Sequence, residues 1–593
     1  MRVKPGILHK KTLSYKKTCC MFRFLALLML VWFILSPCAH AEFVPDQPVL
    51  SAEKLRSGMK GHMLTVLKGT KPVRLPIEVT SVIPQKGSAK HSIMIRLLPS
   101  EENKTGVVAQ GMSGSPVYVN GKLIGALSMG WSFSDHTVAM VTPIDDMCRV
   151  FSQPGGEGGA NTADSVIENT EYMASPVMVG GLGGRTVTEL QSALGLPLEN
   201  APYGAGGELS LDDTRFSPGE AVSVFLAWGD VEVYAAGTVT ATSKDGRFLA
   251  FGHSFLERGE VGFPVARAVV HDTVFSQAFP FKITSPVAIV GTATHDRASG
   301  VGGRMGYFTP SIAATLALKD LDTGGERVVK NFRVVCDAFL SARLLAGIYS
   351  ELVDEQWGRK GEGTAAVTLR VDGRGMTDGW TRSNVFFSDS DIGRAVVGES
   401  AAIIDTIMLQ PFRDIYPIGF RLDVSVTREP KVLFIEDVEV VSEASPGDTL
   451  DVLVTLRPWR RAPVKKQFEL TIPKDATGSC ELLVRGGGTN SLGQIALDGG
   501  WMSIDGFERL LTEINASDAN NELILELLHD QAGGNTRPGS RKSQAELVQE
   551  EKEFLSDTKS RRIKEGTLKI SRSDYYVDGL IRRLINLTES NHD

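Results

Sequence analysis

Apolar and polar residues alternate along most of this chain, and that period of two predicts strands rather than helices. Ile77-Glu78-Val79-Thr80-Ser81-Val82-Ile83 has the pattern of a half-buried strand. Val117-Tyr118-Val119, Asn120-Gly121 and Lys122-Leu123-Ile124 read as strand, tight turn and strand. Val222 to Leu226 and Val231 to Tyr234 form a second such pair across Gly229-Asp230. A third pair flanks Ser243-Lys244-Asp245-Gly246 and ends at Gly252-His253-Ser254-Phe255. Alternation returns between 432 and 485, interrupted by the turn Pro446-Gly447-Asp448, and again around Leu568 and Tyr576. Helical spacing is confined to short stretches, at about 341–353, 390–409, 507–514 and 521–529. The chain is thus mainly β, and no regular repeat is apparent.

Length and charge then set the context. A chain of 593 residues, 42% hydrophobic and 22% charged, is expected to form about three or four globular domains. Residues 1–41 stand apart. Seven Lys/Arg and no Asp/Glu precede the apolar run from Phe24 to Leu35, and Ala39-His40-Ala41 closes it. That is the order of an export signal, with cleavage expected after Ala41 and a retained inner-membrane anchor as the alternative. The apolar run is short for a membrane span. Without the leader, 56 basic residues face 70 acidic ones. This acidity excludes nucleic acid as an expected partner and offers no polybasic surface for anionic membranes. Cys148, Cys336 and Cys480 remain, too few and too scattered for a disulfide framework or a zinc site.

The chemistry concentrates in Lys104-Thr105-Gly106-Val107-Val108-Ala109-Gln110-Gly111-Met112-Ser113-Gly114-Ser115-Pro116. Gly-x-Ser-Gly-x-Pro is a turn that can present a serine hydroxyl to substrate while aiming backbone N–H groups at a developing oxyanion. An ordinary structural turn is the bland alternative. The longer run, into the hairpin that follows, resembles the nucleophile segment of the SpoIVB-type serine peptidases. Gly58-Met59-Lys60-Gly61 and the run from Thr65 to Thr70 resemble the same family upstream. The resemblance aligns Ser113, not Ser115, with the nucleophile, and implies Gly111 and Ser113 as the oxyanion-hole amides.

A serine needs a base, usually histidine. His253 is the best candidate, because the run from Thr238 to His253 resembles the family's strand-turn-strand-Gly-His segment; His136, in an exposed-looking loop, is second. The order is reversed relative to the family, with His253 following Ser113. Since triads are defined by geometry, a double barrel can be built with its halves swapped. The family's aspartate position falls on Leu98 here, so the third residue must come from elsewhere. Asp296, in what reads as a Gly-flanked loop, is the candidate, with Asp272 behind it; capping a turn is the plain alternative.

These readings combine into a mainly β chain: a trypsin-like double β-barrel peptidase module with order-swapped halves, then α+β and small β-sandwich-like regions. The expected boundaries are 1–41 for the signal, 42–170 for the Ser-bearing half and 171–345 for the His-bearing half. An α+β region at 346–430, a sandwich at 431–487 and helices, charged linker and strands at 488–593 follow. The expected activity is an exported, periplasmic serine endopeptidase acting on protein or peptide substrates, with envelope partners on the C-terminal β domains. No metal or organic cofactor is implied. The competing reading is a catalytically silent envelope scaffold.

Overall fold

The structure is a computed structural model. It describes residues 42–588 apart from 86–89, 105, 153–170, 173–176, 196–197, 201–214, 275, 277, 279, 377–378, 443, 475, 488–503 and 530–567. The proposed signal, the Gly-rich linker at 154–159 and the charged stretch at 530–565 lie outside the described residues.

Six antiparallel strands make the first barrel: β1 (Lys60–Thr65), β2 (Val73–Pro84), β3 (His91–Leu97), β4 (Pro116–Val119), β5 (Lys122–Gly130) and β6 (Val138–Pro143). They follow the order β4-β1-β2-β3-β6-β5, and a β4–β5 pairing closes the ring. The alternation in β2 has the expected cause. Leu75, Ile77 and Val79 are fully buried and face Met63, Ile93, Ile124 and Leu127 in the core. Asn120 and Gly121 both take positive φ, 51° and 73°, as the two-residue hairpin turn requires. The short β7 (Glu171–Tyr172) extends this sheet beside β5.

After β8 (Val177–Gly180) and β9 (Leu198–Asn200) come β10 (Ala221–Gly229), β11 (Glu232–Thr242), β12 (Arg247–Ala250), β13 (Gly259–Val274), β14 (Phe281–Arg297) and β15 (Gly300–Met305). The order β10-β13-β14-β15-β12-β11, with an additional β10–β11 pairing, brings these six strands into a second ring. The two barrels are joined by backbone: Gly69 and Val270 exchange hydrogen bonds of 2.7 and 2.9 Å, and Gln110 bridges Phe281.

From β10 the second sheet continues through the strands at 328–335, 311–320, 416–427, 363–374 and 380–388. Helices Ser341–Trp357 and Ile392–Leu409 bury their apolar faces in the same core. The α+β region therefore extends the sheet of the His-bearing half. Two four-stranded sheets form the C-terminal sandwich, and the strands at 522–529, 568–572, 576–578 and 580–586 complete it. Residues 522–529, with helical spacing in the sequence, are a strand. Glu522–His529 lies between the strands at 479–486 and 568–572, so sheet pairing overrides the local helix propensity of Leu-Ile-Leu-Glu-Leu-Leu. No disulfide joins Cys148, Cys336 or Cys480.

Candidate active site

The turn before β4 is held carbonyl by carbonyl. Gln110 O accepts from the Lys282 N–H at 3.0 Å, and Gly111 O from Thr238 Oγ1 at 3.1 Å. Met112 O accepts from the Ser115 N–H at 2.9 Å, Ser113 O from the Thr238 N–H at 2.8 Å, and Gly114 O from Thr240 Oγ1 at 2.7 Å. The N–H groups fall into two sets. Those of Gln110, Met112, Gly114 and Ser115 donate to Pro280 O, Ala109 O, Leu127 O and Met112 O. Those of Gly111 and Ser113 donate to no acceptor among the described residues. In a trans peptide N–H and C=O point in opposite directions. Pinning Gln110 O and Met112 O therefore turns the Gly111 and Ser113 amides away from the supporting protein. Positive φ at Gly111 and Gly114, 86° and 91°, makes the turn possible.

Ser113 Oγ is buried and has no hydrogen-bond partner among the described residues. Ser113 is 0% exposed. The sequence suggested a hydroxyl held out toward substrate; the structure shuts it in, because the second barrel packs directly on the turn. Ser115 Oγ is likewise buried without a partner.

The same packing brings the His253 corner to the turn. A methyl group on Gly114 would lie 2.4 Å from Phe251 N and 2.0 Å from Thr238 O. Leu127 O, which accepts the Gly114 N–H, lies 2.9 Å from where a methyl on Gly252 would sit. Thr142 Oγ1 of the first barrel donates to Gly252 O at 2.6 Å. The segments of Ser113 and His253, distant in the chain, thus meet at the contact between the barrels. The two side chains are not hydrogen bonded to each other in this closed form.

His253 is 3% exposed, and its Nδ1 lies 2.6 Å from Ser254 O. A carbonyl only accepts, so Nδ1 carries a proton; in the neutral ring this leaves the lone pair on Nε2, the tautomer that a general base needs. Asp296 lies on β14, not in a loop, and does not address the imidazole directly. Its carboxylate accepts from the N–H groups of Phe255 at 2.6 Å, Leu256 at 2.7 Å and Arg258 at 3.2 Å. Phe255 N–H and Ser254 C=O belong to one peptide unit. The carboxylate therefore acts on His253 through that peptide, drawing on its N–H and so enriching the carbonyl oxygen that holds Nδ1. Burial pushes the Asp296 carboxyl upward, while the three amides pull it back. Asp272 sits on an exposed face, 3.9 Å from Lys68. His136 lies in the turn before β6, where its carbonyl accepts the Val108 N–H at 2.9 Å.

This geometry makes Asp296→Asn informative. Where an aspartate bonds the imidazole directly, the amide imposes the wrong tautomer and costs about 10⁴-fold in rate. Here Ser254 O keeps the tautomer, so the expected loss of Ser113-dependent acylation is about 10- to 100-fold. A loss near 10⁴-fold in acylation kinetics would mean direct contact in the working state.

Two features escaped the sequence. Nothing in Phe281-Lys282-Ile283 distinguishes Lys282 from a solvated lysine on an alternating strand. The backbone carbonyl of Ser254 has no sequence signal at all.

Comparison with known proteins agrees on the first barrel. Residues 38–139 match the family model described as SpoIVB peptidase S55. The match contains Ser113 and stops well short of His253. No curated protein and no solved structure matches the chain.

Proposed function

Proceeding from a segment of the SpoIVB peptidase family, we propose that this protein is an exported serine endopeptidase. Its substrates are extended segments of envelope proteins, cleaved by acyl-enzyme chemistry. Ser113 Oγ attacks the peptide carbonyl and passes its proton to His253 Nε2. The amides of Gly111 and Ser113 receive the oxyanion, and His253 returns the proton to the leaving amine. Water then releases the acyl group by the same route. Asp296 keeps the His253 corner in place. The observation that carries this reading is the pair of amides and the serine hydroxyl that have no hydrogen-bond partner among the described residues, packed against the His253 corner.

Export to the periplasm rests on the leader at 1–41 and is part of the proposal. No described helix is long and apolar enough to cross a membrane. The C-terminal sandwich is proposed as the surface for envelope partners. A silent scaffold is favoured by one observation, the complete burial of Ser113.

The test is covalent labelling of the purified protein with a fluorophosphonate, which forms a tetrahedral adduct on an activated serine. Labelling is expected in the wild type and in Ser115→Ala, and is expected to vanish in Ser113→Ala. A wild type that takes up no label, or a Ser113→Ala variant that still does, decides for the scaffold.

A further inference from the structure

Lys282 on β14 is 2% exposed, and its ammonium makes no ion pair among the described residues. Nζ donates to Thr65 Oγ1 at 2.9 Å and to Gly111 O at 3.3 Å. Its methylenes cover Gly111: a methyl there would lie 3.3 to 3.6 Å from Cβ, Cγ and Cδ of Lys282. Its own N–H pins Gln110 O. One residue of the second barrel thus holds two consecutive carbonyls of the nucleophile turn in the first.

We propose that Lys282 is a positioning residue for the oxyanion hole, fixing the Gln110–Gly111–Met112 peptides so that the Gly111 and Ser113 amides converge. This rests on the peptidase reading above. A lysine is an expensive way to fill an apolar gap, because a buried ammonium without a counter-charge loses its hydration. Methionine would fill the same space. Burial alone, with no charged neighbour contributing, pushes the ammonium down to about 7. What lysine supplies and methionine does not is a donor aimed at Gly111 O, one peptide from the reacting oxygen. Thr238 Oγ1 shares that carbonyl, so the two donors hold it from the second barrel.

The experiment follows phosphonylation of wild type and Lys282→Met by a fluorophosphonate, with loss of fluoride, across probe concentration, with melting temperatures measured alongside. The expected result is a limiting rate about 10- to 100-fold lower, short of the 10²- to 10³-fold lost with a whole oxyanion donor. The half-saturating concentration stays unchanged and the melting temperature is not lowered. A merely structural lysine would lose rate only as stability is lost. The folded pKa lies below that of the unfolded chain, so between about 7 and 10.5 the unfolded state binds more protons and wild-type stability rises with pH. Any stability advantage of Lys282→Met at pH 7 should therefore shrink toward pH 10. If Lys282→Met does not fold, Lys282→Leu, which also lacks the Nζ donor, takes its place with the same expected rate loss. Phosphonylation at the wild-type rate in the folded variant overturns this inference alone. A wild type without Ser113-dependent phosphonylation overturns the peptidase reading and this inference with it.

Discussion

Replacing His253 with alanine is expected to lower Ser113-dependent acylation by roughly 10³- to 10⁶-fold while the protein stays folded. At about 1.4 kcal/mol per decade this is some 4 to 8 kcal/mol of transition-state stabilisation. The size follows from the state of the imidazole. Ser254 O accepts from Nδ1 at 2.6 Å, which in the neutral ring leaves Nε2 as the acceptor, and the corner is anchored through three amides by Asp296. Three other described histidines are engaged elsewhere. His271 Nε2 lies 2.9 Å from Ser285 Oγ, His62 stacks on Tyr118, and His295 Nδ1 meets Thr294 Oγ1 at 2.9 Å. The check is the rate of fluorophosphonate adduct formation, read by intact mass, with a thermal melt on the same sample. A folded His253→Ala variant acylated within tenfold of the wild type would remove His253 from the chemistry.

Gly114→Ala is expected to destabilise the protein by at least about 3 kcal/mol, the range of severe steric substitutions. Alanine there is strained by φ 91°, and its methyl would sit 2.0 Å from Thr238 O, 2.4 Å from Phe251 N and 3.0 Å from Phe251 Cα. All three are backbone atoms of the second barrel, so no side chain can swing away, and relief requires the barrels to separate. Separation also breaks the Thr240 Oγ1 bond to Gly114 O and draws the His253 corner off the turn. Gly121→Ala is the matched control. It has φ 73° but nothing within 4 Å of the new methyl, so it carries backbone strain alone, about 1 kcal/mol. Chemical denaturation of the two variants compares them directly. If Gly114→Ala is no less stable than Gly121→Ala, the close contact between the barrels is wrong.

The closed site accounts for both lines of evidence on function. The family match covers the Ser113 segment, yet Ser113 is buried, so on the proposed reading a polypeptide substrate reaches it only once the turn is uncovered. The contacts that cover it are those that orient it. Thr238, Thr240 and Lys282 all reach across from the second barrel to the carbonyls of residues 111 and 114. Drawing the second barrel off the turn would therefore also release the carbonyls that it holds.

What the sequence determined by itself was local. The alternation of Leu75, Ile77 and Val79, the Asn120-Gly121 turn and the helix at 392–409 each follow from periods and turn chemistry contained within a few residues. The turn around Ser113 was legible for the same reason, since it needs glycines at 111 and 114 in a contiguous motif. His253 became a candidate only through resemblance, because nothing local tells a candidate base from a buried ring. The strand at 522–529 was not legible: its partners lie about forty residues away on either side, and pairing outweighed propensity. Asp296 could be named but its role could not, because it reaches His253 through a peptide group supplied by another segment. Lys282 was invisible, since an alternating strand gives the same pattern whether its polar face meets water or a neighbouring barrel. Tertiary structure alone decided which amides of the turn are left without an acceptor among the described residues, because that depends on which carbonyls are held by other segments.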